Sequence, residues 1–145
     1  MAFGTDEQTE LTRAVVSMLG EMGHEVSVLA DGAAWTEAGR AVAEAVVSGR
    51  ATFGVVCCTT GTGVSIAANK VPGARAALCT DAETAEGARR WNDANVLAFG
   101  LRLTTEILAR EMLEAFLSTP FDPDEAAIVE MLEGLQPNPS GGAAP

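Results

Sequence analysis

The stretch Phe53–Lys70, FGVVCCTTGTGVSIAANK, constrains the fold of this chain more than any other. Phe53–Cys58 is a strand-compatible run with no polar alternation. A strand of that kind is buried on both faces, the habit of a central strand in a parallel sheet. It empties into a Thr/Gly loop, Thr59–Gly63. A helix is expected from about Val64 to about Lys70, with Pro72 and Gly73 as its breaker. Strand, short loop and helix in that order commit the chain to helices layered on a parallel sheet.

The remaining sequence keeps the alternation. Ala2–Thr5 reads as a first strand. Asp6 is placed to cap a helix whose apolar positions Leu11, Val15, Met18, Leu19 and Met22 recur at helical spacing, with Gly23 as its end. Strands over Glu25–Leu29, Arg75–Cys79 and Asn95–Phe99 interleave with helices over Trp35–Val47, Ala82–Arg90 and Thr104–Leu117. After Pro120 a last helix, Pro123–Leu135, places Ile128, Met131, Leu132 and Leu135 on one face. Residues 136–145 are rich in Pro, Gly and Ala and are expected to form a disordered tail. The expected architecture is α/β: a three-layer αβα sandwich on a five-stranded, Rossmann-like parallel sheet, one domain over residues 1–135.

Ligands of such sheets bind beyond the carboxyl ends of the strands. Asp6, Cys58–Gly63, Thr80 and Gly100–Arg102 all fall at those ends. The loop after the third strand delivers a thiol beside the free N–H groups of a helix N-terminus, which hold anions. A thiolate next to such donors can take a proton from a carbon beside a carbonyl and hold the resulting enediolate. Side chains alternate along a strand, so Cys57 and Cys58 cannot both face the site. Cys58 is the candidate base; Cys57 and Cys79 read as buried strand cysteines.

Composition removes other classes of function. A net charge of −11 argues against nucleic acid or an anionic membrane surface as a partner. No apolar run approaches the roughly 18 residues of a membrane span, and the N-terminus lacks a basic-then-apolar leader. Three cysteines, two of them adjacent, make no disulfide framework and fit reduced thiols in a cytoplasmic protein. No CxxC pair or histidine cluster offers a metal site, and no cofactor is expected.

CCTTGTGVSIAANK (Cys57–Lys70) resembles the active-site segment of the family of ribose-5-phosphate isomerase B and the galactose-6-phosphate isomerase subunits. The likeness continues through VPGARAALCTD (Val71–Asp81), NDANVLAFGLR (Asn92–Arg102) and EAFLSTPF (Glu114–Phe121), with fainter echoes in Gly4–Asp6 and Gly23–Val26. The resemblance implies interconversion of an aldose and a ketose through a cis-enediol. It also implies a homodimer, often paired into a tetramer, whose active sites take residues from two subunits. On the matching positions, Cys58 is the catalytic base and Thr60 the hydroxyl that shuttles protons between oxygens. Gly61, Gly63 and Ser65 belong to the loop that holds the enediolate or a sugar oxygen. Asn92 binds the oxygen end of the substrate, and Asp6 anchors sugar hydroxyls. Asp6 also fits as a plain helix cap, and Asn92 as a turn residue before a strand.

The departures carry information too. The family has His where Glu7 stands and a ring-opening His where Trp91 stands. A substrate-contacting Tyr is matched nearest by Trp35 in a chain with no Tyr. Both tryptophans also fit as core or interface packing. The C-terminal arginines that grip phosphate are missing: Asp122–Ala127 reads DPDEAA, and no Arg or Lys follows Arg110. The sole histidine, His24, reads as a surface turn residue. A phosphate dianion needs charge-assisted donors and is repelled by carboxylates. The expected substrate is therefore a small carbonyl or sugar-like compound, non-standard and unphosphorylated, bound by Asp6, Glu7, Trp35, Gly61, Gly63, Ser65, Trp91 and Asn92. The alternatives are a conventional sugar-phosphate isomerase in which Glu7 and Lys70, Arg89, Arg90 or Arg102 compensate, and a non-catalytic subunit of a heteromeric isomerase.

Overall fold

The computed structural model describes residues 1–135; the tail expected over residues 136–145 lies outside the described residues. Five parallel strands form one sheet: β1 (Ala2–Thr5), β2 (Ser27–Asp31), β3 (Gly54–Cys58), β4 (Ala76–Leu78) and β5 (Val96–Gly100), in the order β2-β1-β3-β5-β4. The helices are α1 (Glu10–Glu21), α2 (Trp35–Val47), α3 (Thr62–Asn69), α4 (Ala82–Asn92), α5 (Glu106–Ser118) and α6 (Ala126–Glu133), with a 3₁₀ turn over Pro123–Glu125. The expected three-layer, five-stranded parallel architecture is the one observed.

Two cores sandwich the sheet. Alternation along β3 sends Val55 and Cys57 to the face covered by α1, α4 and α5, where they meet Leu19, Ala88, Met112 and Phe116. Val56 and Cys58 point to the other face, against Val42 and Val46 of α2 and Val64 of α3. All five residues of β3 are buried, as its unbroken apolar run requires. α2 and α3 pack closely because Gly39 has no side chain: a Cβ there would stand 2.6 Å from the Val64 carbonyl oxygen.

Several boundaries differ from expectation for local reasons. Asp6 does not cap α1. Thr9 does, in a reciprocal capping box with Thr12, so the helix starts at Glu10. β2 begins at Ser27, which pairs with Ala2, the first residue of β1; ahead of it the Glu25 carbonyl accepts from the Met1 ammonium. α3 begins at Thr62, two residues early, because Gly61 takes the left-handed conformation (φ 75°) that turns the chain into the helix. α4 runs on to Asn92, which is therefore a helical residue rather than a turn residue before β5. The last helix divides into the 3₁₀ turn and α6, and α6 buries none of its residues.

Arg75, Arg89 and Asp93 tie the lower rim together. Asp93, in the left-handed conformation at the end of α4, receives Arg75 and Arg89 at 2.8 Å each. Arg89 is buried and also lies over the ring of Phe53, its Cζ 4.8 Å from the centroid. Arg90 pairs with Glu86. Within one chain Arg89 and Arg90 are thus each paired with a carboxylate. No helix among the described residues is long and apolar enough to cross a membrane.

Candidate active site

The site is built at the reversal of strand order between β1 and β3. The connection after β1 leads to α1 on one face, and that after β3 leads to α3 on the other. The two loops part and leave a crevice at the carboxyl ends. Thr5 lies opposite Cys57 in the ladder, so Asp6 emerges beside Cys58. On the other side Cys58 lies opposite Gly100. Asp6, Cys58, the Thr/Gly loop and Gly100–Arg102 therefore share one rim.

The loop is clamped against the end of β5. The Cys58 carbonyl accepts from the Leu101 N–H at 2.9 Å, and the Thr59 carbonyl from the Arg102 N–H at 3.0 Å. Two glycines permit the approach. A Cβ on Gly100 would stand 2.7 Å from the Thr60 carbonyl oxygen, and one on Gly61 would stand 2.6 Å from the Phe99 carbonyl carbon. No side chain caps α3, so its first N–H groups carry no side-chain partner. Ser65, in the first turns of α3, is buried. The hydroxyls of Thr60 and Thr62 lie 2.7 Å apart at the loop tip.

Two carboxylates border this loop. Asp6 is partly buried, and its Oδ1 has no hydrogen-bond partner. Burial, with the neighbouring Glu7 charge, raises its pKa above the usual carboxylate range. Glu7 reaches across from the end of β1 and accepts a hydrogen bond from the Thr59 hydroxyl. Burial pushes the Cys57 thiol up to about 12, as it does that of Cys79, so both are inert strand cysteines. Cys58 is the rim cysteine, buried among the side chains of α2 and α3.

Trp35, at the first position of α2, lies over this loop: its Cδ2 and Cε3 would be 3.0 Å from a Cβ on Gly63. Its ring is 45% exposed and borders an open groove with Ile66 and Lys70. Beyond the loop, a cavity of about 230 Å³ is lined by Thr59, Thr60, Thr80, Arg102 and Thr104. Among the described residues, Arg102 and Lys70 form no ion pair.

One chain thus brings together Asp6, Glu7, Trp35, Cys58, Thr60, Gly61, Gly63 and Ser65. It does not bring Trp91 and Asn92 to them. Both lie in the last turn of α4 and border a separate groove that contains no residue of the Cys58 loop. Trp91 is 52% exposed and lies flat over Gly87, where a Cβ would be 2.6 Å from its ring. Sequence reasoning missed Thr59; the doubled threonine after the cysteine was its only signal.

A doubly wound α/β protein with a cysteine loop at its switch point is the class that this geometry defines. The family model described as Ribose/Galactose Isomerase matches residues 1–132, and the chain belongs to that family. It is 41% identical over 105 residues to the galactose-6-phosphate isomerase subunit LacB of Clostridium acetobutylicum, covering 71% of this chain but 61% of that relative. It is 36% identical over 130 residues to ribose-5-phosphate isomerase B of Escherichia coli, covering 84% of this chain and 85% of the relative. The solved ribose 5-phosphate isomerase of Thermotoga maritima superposes with a TM-score of 0.84 at 33% identity, over 92% of this chain and 97% of that one.

Proposed function

We propose that this chain is an aldose–ketose isomerase acting on a small sugar phosphate, with Cys58 as the base. The observation that carries the reading is the placement of Cys58 on the rim, between Asp6 and an uncapped helix N-terminus. In the forward direction the Cys58 thiolate takes the C2 proton of an open-chain aldose. The electron pair moves through C1 onto the carbonyl oxygen, giving a cis-enediolate. The N–H groups of Gly61, Gly63 and the start of α3 hold that oxygen. Thr60, beside Thr62, passes the O2 proton to O1, and Cys58 returns its proton to C1. Asp6 accepts from sugar hydroxyls, and Ser65 supports the loop from within. Trp35 offers a flat apolar wall over Gly63.

Trp91 and Asn92 cannot reach Cys58 of their own chain, which supports a site completed by Trp91 of the partner subunit and Asn92 of the partner subunit. The exposed Leu103 and Ile107, at 79% and 74%, supply apolar surface for a homodimer or tetramer. Met112 and Leu113 of α5 are buried in the core of their own chain, while Ile107 of the same helix points outward.

Arg102, which forms no ion pair among the described residues and lines a cavity with Thr59, Thr60, Thr80 and Thr104, is the side chain best placed for phosphate. A second reading, an unphosphorylated substrate, rests on charge: Asp6 and Glu7 flank the loop, and Asp122, Asp124 and Glu125 make the segment after α5 acidic. A coupled assay of ribose 5-phosphate and ribose, on the wild type and Arg102→Ala, separates them. Preference for the phosphate ester, with a KM raised at least tenfold in the variant, supports the first reading. Preference for the free sugar supports the second. Turnover of neither, even with candidate partner chains, would leave a non-catalytic subunit.

A further inference from the structure

We infer that Glu7 is a positioning residue that acts through Thr59 on the loop carrying Cys58, rather than a group that grips substrate. The inference rests on the reading of Cys58 as base.

Glu7 is held at both ends. The buried Thr5 hydroxyl donates to the Glu7 carbonyl at 2.9 Å and accepts from its N–H at 3.2 Å, which fixes the backbone at the end of β1. The Glu7 carboxylate then spans to the neighbouring strand end and accepts the Thr59 hydroxyl. Thr59 follows Cys58 directly, and its carbonyl is held from the opposite side by the Arg102 N–H. Thr59 is therefore gripped from both neighbouring strands, through its backbone by β5 and through its side chain by the end of β1. Without Glu7 the grip is one-sided. The segment from Cys58 to Gly61 would then hang from the β5 side alone, just before the left-handed residue that aims the α3 N–H groups.

A carboxylate engaged in this way has one oxygen committed to the protein. Its contribution to catalysis is the geometry of the loop, and errors of an ångström in such geometry cost rate more than binding. The hydrogen bond, not the charge, is the active feature. That distinction is testable because Gln keeps the acceptor and Ser keeps the donor.

The test compares Glu7→Ala, Glu7→Gln, Thr59→Val, Thr59→Ser and the double variant Glu7→Ala/Thr59→Val in the full chain. Steady-state kinetics on the best sugar substrate is one readout. Amide hydrogen exchange of the peptide spanning residues 57–63 is the other. Glu7→Ala and Thr59→Val should each lower kcat roughly tenfold with KM changed less than about twofold. The double variant should be no worse than either single one. Glu7→Gln and Thr59→Ser should keep most of the rate. Exchange in the loop peptide should quicken by several-fold in the two disruptive variants and not in the conservative ones. Glu7→Gln as damaging as Glu7→Ala, additive losses in the double variant, or a KM effect at constant kcat would overturn the inference. So would unchanged loop exchange in Glu7→Ala. Should the wild type isomerise nothing, the proposed function fails, yet the exchange measurement still decides whether Glu7 holds the loop.

Discussion

The indole of Trp35 covers the position that a side chain on Gly63 would occupy. A Cβ at Gly63 would stand 3.0 Å from two atoms of the ring, tighter than ordinary packing allows. The lack of a side chain at Gly63 lets the indole lie this close. Gly63→Ala should push the ring outward, shifting the Trp35 emission and lowering kcat/KM by roughly tenfold, with a loss of stability of about 1 kcal/mol or less. Fluorescence and kinetics on the same sample check this. An unchanged spectrum with full activity would remove Trp35 from the site.

The two adjacent cysteines should separate by phenotype. Cys57 lies wholly in the core and its thiol is pushed up to about 12, so it takes no part in proton transfer near neutral pH. Cys57→Ser should cost about 1–2 kcal/mol in urea unfolding, for burying a hydroxyl near Thr5, while activity per folded molecule is retained.

Asp6 carries a cost in stability, as the binding role proposed for it would require. Its folded-state pKa is raised, so the stability it contributes is present below the ordinary value of 3.8 and is lost as pH rises through the folded value. At neutral pH the folded state therefore holds a carboxylate that is less comfortable than in the unfolded chain. Asp6→Asn should raise the unfolding midpoint at pH 7, with the advantage shrinking to nothing well below pH 3.8. The same variant should lose activity, the expected trade at a binding residue. Unfolding midpoints at several pH values, beside a rate assay, test both halves.

Trp91 and Asn92 meet Cys58 only if two chains share a site. Cys58→Ser and Asn92→Ala should each be nearly inactive alone. Co-expressed, they should form mixed dimers with one intact site and recover about a quarter of wild-type activity. Light scattering should find no monomer at micromolar concentration. Recovery of nothing, or a monomer, would place Asn92 outside the site.

Much of this was legible in the sequence, and the reasons are physical. β1 and α2 have the bounds that their patterns indicate, Ala2–Thr5 and Trp35–Val47; α2 ends just before Gly49, in the left-handed conformation. The Cys58 loop was legible because an apolar strand, a glycine loop and a helix each leave a compositional mark. The start of α1 was not, because its capping box uses Thr12 where Glu or Gln is the usual mark. β2 was shifted because an edge strand is defined by its pairing with β1, which lies elsewhere in the chain. The Glu7–Thr59 contact joins residues 52 apart in sequence and depends on the ladder register of β1 and β3, which no local pattern carries. The two tryptophans could be flagged as unusual, but only the packing over Gly63 and Gly87 divides them between two faces of the chain.

The proposed function stands on transfer of a carbon-bound proton by Cys58. Incubation in D₂O with an aldose phosphate or its ketose, followed by NMR at C1 and C2, tests it without requiring net conversion. Wild-type protein should introduce deuterium next to the carbonyl, and Cys58→Ser, folded to the same far-UV spectrum and unfolding midpoint, should introduce none. Deuterium incorporation by Cys58→Ser at the wild-type rate would contradict the account.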